Sequence, residues 1–247
     1  MAGRRVTPAL LIAGLVIASV MTARAGELRA VLELFTSQGC SSCPPADRLV
    51  GQLANDPSLV ALSVPIDYWD YLGWRDTLAS SGHSARQRAY ARVRGDGQVY
   101  TPQIVVNGAA DALGSDQTAV ERAIVQTDRK AGVMSLPVLL STSDGTLGIN
   151  ISSADNVQAP AEVWLCPLTK VVAVAIGRGE NRGRTITYHN VVRNWLKLGS
   201  VNGVQSSWNV PLSQIKAEGI DAAAVMVQEG THDKPGIILG AALTDIR

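Results

Sequence analysis

The chain has 247 residues, with 22 lysines and arginines against 21 aspartates and glutamates, a formal net charge of +1. Nothing in that balance forms a basic stripe, so nucleic acid is not an expected partner. Three cysteines are too few for a disulfide-built scaffold.

The first residues read as a secretory leader. Arg4 and Arg5 form a basic start, Ala9 to Met21 is apolar, and Ala23-Arg24-Ala25 is a small-x-small cleavage site. The apolar run is short for a membrane span, which takes roughly 20 residues; an uncleaved N-terminal anchor is the competing reading. With residues 1–25 removed as a signal peptide, 222 residues remain from Gly26, and the net charge becomes −2 because Arg4, Arg5 and Arg24 leave without an acid. The expected location is secreted or periplasmic, with no integral membrane segment once the leader is cleaved. The remaining length suits one large domain or two small ones.

Ala30 to Phe35 alternates in apolar character and predicts a strand. Ala46 to Leu53 predicts a helix, stopped by Asn55-Asp56-Pro57, and Val60 to Ile66 a second strand. Strand, helix and strand at this spacing make a βαβ unit with parallel strands. Tyr68, Trp69, Tyr71 and Trp74 then concentrate four aromatic residues, and Ser84 to Arg94 reads as a polar, arginine-rich helix. Tyr100 to Gly108 predicts a strand led in by Pro102 and closed by an Asn107-Gly108 turn. A helix beginning near Ser115 covers Val120 to Val125.

After Gly132 the texture turns β-rich. Leu147, Ile149 and Ile151 alternate with Gly148, Asn150 and Ser152, and further strand-like runs cover Val171–Ile176, Thr185–Val192, Ala222–Val227 and Ile237–Ala242. Short strands with turn residues between them suggest a sandwich. The expected fold class is therefore α/β: one α/β domain over residues 26–132 with a helical insertion at 67–100, followed by a C-terminal β-sandwich domain over 133–247.

Cys40 and Cys43, three apart where the first strand ends and the first helix begins, are the best candidates for chemistry. In a dithiol enzyme one thiolate attacks a substrate disulfide and the second thiol resolves the mixed disulfide. Cys40 follows Gly39 at the strand exit and is assigned the attack, which asks for an exposed sulfur; Cys43, one turn deeper, resolves. The competing readings are an inert structural disulfide and a Cu(I) site on two thiolates. No other metal ligand set is visible, since His83, His189 and His232 are isolated, and no cofactor motif is present. Thr101-Pro102, opening a later strand, is the expected place to hold a substrate backbone.

Cys40-Ser41-Ser42-Cys43 with Thr101-Pro102-Gln103 resembles the thioredoxin and glutaredoxin superfamily. Glu33 to Asp47 resembles more closely a secreted thioredoxin-like family, domain of unknown function 1223. So do Asp67-Tyr68-Trp69-Asp70, Leu72-Gly73-Trp74, Tyr100 to Gln103, and Gly179 to Gly183 with His189 to Val192. The resemblance implies a thioredoxin-like domain and thiol–disulfide exchange on exported proteins, with a redox partner protein to recycle the dithiol. A non-catalytic binding module of the same fold is the alternative. Two departures stand out. Leu34 occupies the position of the superfamily's buried aspartate, with Glu33 one position off and so on the other face. Pro44-Pro45 places Cys43 at the helix cap, with Cys40 further from the helix amides.

Other residues have two readings. Asp67 and Asp70, flanking Trp69, either orient a substrate and relay a proton or cap a short helix. The aromatic group is a peptide-binding lip or the core of the insertion. Cys166 reads as a buried thiol and His189 as a structural histidine. Arg178 to Arg184 reads as a mobile loop, with an anion or partner contact as the minor option.

Overall fold

The computed structural model describes residues 28–152, 160–201 and 204–246, so the expected leader lies outside the described residues. The first half runs β1 (Ala30–Thr36), α1 (Pro44–Leu53), β2 (Leu59–Pro65), α2 (Ser81–Arg94), β3 (Gln103–Val106), β4 (Ala110–Leu113) and α3 (Gln117–Asp128). β1 and β2 are parallel from Ala30↔Leu59 to Thr36↔Pro65, as the βαβ reading expects. β3 lies antiparallel on the other edge of β1. It turns into β4 through Asn107 and Gly108, both with positive φ, which is the chemistry of a tight hairpin.

The second half is β5 (Val138–Ser143), β6 (Thr146–Ile151), β7 (Ala161–Ala175), β8 (Thr185–Val192), β9 (Leu196–Val201), β10 (Ser206–Pro211), β11 (Ala222–Thr231) and β12 (Lys234–Asp245). Here the expected fold class is corrected. The C-terminal strands do not build a separate sandwich behind a thioredoxin-like domain with a helical insertion. A mixed nine-stranded sheet runs β12-β11-β7-β8-β2-β1-β3-β4, with β9 on β7, and joins both halves where Ser63 of β2 pairs with Val191 of β8. Only β10, β6 and β5 form a second sheet. Twelve strands against three α-helices make the described residues mostly β. The reason is physical. Every strand offers the same backbone donors and acceptors at its edges, and alternation reports a buried face without naming the neighbour.

The two faces of β1 explain the interior. Leu32 and Leu34 pack with Ala46, Leu49 and Val50 of α1 and with Ile124 of α3. Val31 and Phe35 pack on the opposite face with Tyr90 of α2 and with Cys166, Leu168 and Met226 of β7 and β11. One cluster thus draws side chains from both halves of the chain.

Glu33 lies on the Val31 and Phe35 face, buried in a network. Arg86 grips it through Nε at 2.5 Å and Nη2 at 2.9 Å. Tyr90 donates to its Oε1 at 2.6 Å, and Gln228 accepts from Arg86 at 2.9 Å. The Arg86 guanidinium also lies 4.1 Å over the Trp195 ring. Cys166, the expected buried thiol, is fully buried nearby, and burial pushes its pKa well up.

Candidate functional site

β1 delivers the chain into a tight turn. Cys40 N–H bonds to Ser37 O, and Cys43 N–H to Cys40 O, each at 3.2 Å. Cys43 is the N-cap of α1 and the two prolines take the first helical positions. Proline fits there because those amides have no intrahelical partner. Cys40 and Cys43 are joined as a disulfide.

The expectation of an exposed Cys40 does not hold in this disulfide state: Cys40 is 2% exposed and Cys43 fully buried. Ser41 and Ser42, between them, are exposed. Ser42 Oγ lies 3.3 Å from Cys40 Sγ and donates to Thr101 O at 3.4 Å, so its small side chain bridges the dithiol to the opening of β3. The Thr101–Pro102 bond is cis. Trp69 Nε1 donates to Thr101 Oγ1 at 2.7 Å, and Trp69 stacks on Tyr71, which is 77% exposed. Cys40, Cys43, Thr101, Pro102 and Trp69 therefore share one neighbourhood. Asp67 accepts a hydrogen bond from Ser84, and Asp70 accepts from Asp76 N–H, so both carboxylates brace the 67–84 segment. Glu33 is committed to Arg86.

Residues 31–228 match a family model described as a protein of unknown function, DUF1223. The chain belongs to this family. A crystal structure of a protein from Agrobacterium tumefaciens is similar to this DUF1223 chain, at 30% identity and a TM-score of 0.78, over 87% of this chain and 93% of the other. No curated protein matches it.

Around the dithiol of this DUF1223 protein stand side chains whose hydrogen bonds to its turn the sequence did not reveal. Asn181, from the stretch read as a mobile loop, is fully buried and donates through Nδ2 to Gln38 O at 3.0 Å and Cys40 O at 2.8 Å. It pins the turn from 141 residues away. Glu180 accepts from Ser41 N–H at 3.1 Å. Trp74 donates to Gln38 Oε1, and Asp76 accepts from Gln38 N–H at 2.7 Å.

Asp47 stands out most. It lies four residues beyond Cys43 on α1, and its N–H bonds to Cys43 O at 3.1 Å, so the two share a helical face. Thr36 donates to Oδ1 at 2.7 Å, while Oδ2 has no partner among the described residues. Burial pushes the carboxyl up to about 8, with the Asp76 charge adding to the rise and the Thr36 bond and Arg48 opposing it. Burial likewise raises Asp76 to about 6. Tyr188, whose buried hydroxyl also has no partner among the described residues, is raised by burial and by Asp47 and Asp76.

This carboxyl sets a stability window. An acid whose folded pKa is raised keeps its proton in the folded state after the unfolded state has lost it, so stability falls as pH rises toward the folded value. His83 is held down at about 4 by burial and works the other way, losing stability as pH falls below 6.5. Between pH 6.5 and 8 Asp47 acts without that opposition, at about 1.4 kcal/mol per pH unit. Urea unfolding of the oxidised protein is expected to show that decline, and Asp47→Asn to flatten it. An unchanged slope in the variant would clear Asp47 of the effect.

Proposed function

We propose that this protein is a thiol–disulfide oxidoreductase acting on exported proteins. The observation that carries the reading is the Cys40–Cys43 pair at the start of α1, bridged by Ser42 to Thr101, with Asp47 one helical turn beyond Cys43. The location follows from the leader-like residues 1–25, and the substrates follow from the location.

In the reduced protein the Cys40 thiolate attacks a substrate disulfide. A bond forms between Cys40 Sγ and one substrate sulfur, and the other leaves as a thiolate that takes a proton from water. Cys43 then passes its thiol proton to the Asp47 carboxylate and attacks Cys40 Sγ. The substrate sulfur leaves with the electron pair, the substrate is reduced by two electrons, and the protein returns to its disulfide. Run backwards, the same steps oxidise a dithiol. Ser42 must swing aside to uncover Cys40, which frees the Thr101 carbonyl to accept a hydrogen bond from substrate backbone.

The direct test mixes reduced protein with a cystine-containing peptide and counts released thiol against protein disulfide formed. Equal amounts support the reading. No disulfide formed on the protein, with the peptide left intact, would end it. A finer test follows ring closure after the mixed disulfide has formed. Its rate is expected to rise through about pH 8 as Asp47 loses its proton. Asp47→Asn should slow it on the order of 100-fold and remove that rise. A variant with wild-type rate and pH profile would take the proton-acceptor role from Asp47.

A further inference from the structure

A cleft of about 750 Å³ opens between α1 and β8, within the size range of ligand sites. Its α1 wall is a single helical stripe that begins at Pro44, the residue after Cys43, and continues through Arg48 and Gln52, with Asn55 just past the helix end. The opposite wall carries Arg184, Thr187 and His189. Gly51 lets the walls meet, since a Cβ there would lie 2.7 Å from the His189 ring.

The charge of the lining is one-sided. Two guanidinium groups face the cleft region beside the His189 imidazole, whose pKa burial lowers, and no aspartate or glutamate lines it. Arg48 is exposed and makes no ion pair or side-chain hydrogen bond among the described residues. Arg184 gives one N–H to Asn181 Oδ1 at 3.1 Å, which leaves donors of its fork available. Guanidinium forks suit carboxylates, because two parallel N–H groups meet two oxygens. The eleven residue steps from Pro44 to Asn55 correspond to a rise of about 16 Å, room for about five residues of extended chain.

The position ties the cleft to the dithiol. Its near end adjoins Cys43, and Arg184 reaches the Cys40 carbonyl through a single residue, Asn181. We propose that this cleft is a carboxylate-binding subsite that selects extended, acidic polypeptide segments flanking the substrate disulfide. The substrate role rests on the oxidoreductase reading; the binding of acidic peptide does not.

Two blocked peptides separate these claims, one with glutamates in the residues after its cysteine and one with glutamines in their place. In a first arm the cysteine is replaced by serine, the peptide carries a fluorophore, and anisotropy reads binding to the oxidised protein. The glutamate peptide is expected to bind about tenfold more tightly at about 50 mM salt, with the preference fading at about 0.5 M salt. Arg48→Glu should abolish the preference, and so should Arg48→Gln combined with Arg184→Gln. Arg48→Glu matters because it disturbs no bond to Asn181. Equal binding of both peptides, or a preference that survives both variants, overturns the subsite. In a second arm the peptides carry a disulfide and exchange is timed with the reduced protein. The glutamate form is expected to be favoured about tenfold in kcat/KM. Exchange with no preference overturns the subsite and leaves the enzyme standing. Selective binding with no exchange upholds the acidic-peptide cleft and overturns the oxidoreductase reading.

Discussion

Cys43→Ser is expected to accumulate covalent adducts with exported proteins, and Cys40→Ser to accumulate none. When Cys40 attacks and Cys43 is absent, the mixed disulfide has no internal thiol to close on, and its lifetime is set by outside thiols alone. When Cys40 is absent, Cys43 is the sole thiol of the pair, and it sits at the α1 cap without exposed surface. The contrast should approach all or none on a non-reducing gel. Closure of the ring inside one molecule has the advantage of proximity, which in well-oriented reactions reaches effective concentrations of about 10⁵ M or more. Losing it converts a transient into a product that can be isolated. Equal trapping by both variants would reverse or erase the assignment of attack to Cys40. The adducts themselves would identify the natural substrates, and an excess of acidic residues beside their cysteines would agree with the α1–β8 cleft.

The second large effect concerns Glu33. Glu33→Ala is expected to destabilise the protein by about 3–5 kcal/mol, because it leaves the Arg86 guanidinium buried without its counter-charge. Both members of the pair are almost wholly buried. Tyr90 loses its acceptor at the same time. The double replacement Glu33→Leu with Arg86→Met should recover much of that loss, since removing both charges also removes their desolvation cost. Urea unfolding at constant pH measures both. The pH profile of exchange should stay where Asp47 puts it. A Glu33→Gln variant that folds normally yet moves that profile would return Glu33 to the chemistry.

Local features were legible in the sequence and distant ones were not. β1, α1 and β2 could be read because their periodicity and the flanking turn residues lie within a few positions of one another. Cys43 at the helix cap followed from the two prolines, whose missing amides fit only the first turn. The alternation of β1 also put Glu33 on the face away from α1. Asp47 was in view four residues from Cys43, but its role depends on its burial, on the Thr36 bond and on the Asp76 charge, which no local pattern encodes. Asn181 lies in a stretch that carried the family resemblance, but its part in the site stayed hidden, because its two hydrogen bonds cross more than 140 residues. The sandwich reading failed for the same reason. Thr185–Val192 matches β8 and Val171–Ile176 covers only the end of β7, which starts ten residues earlier at Ala161, but the attachment of β8 to β2 through Val191 is a long-range pairing.

The single sheet shared by the two halves has an architectural cost. A shortened protein ending near residue 132 would keep the dithiol and lose β8, the partner on the outer edge of β2, exposing unpaired backbone of the kind that recruits other strands. It would also strip Cys166, Leu168 and Met226 from the cluster holding Phe35, and Asn181 from the turn that carries Cys40. Gene fusion or trimming cannot pass the cysteine pair on as an independent cassette: the cysteines and the distant β strands have to be inherited together.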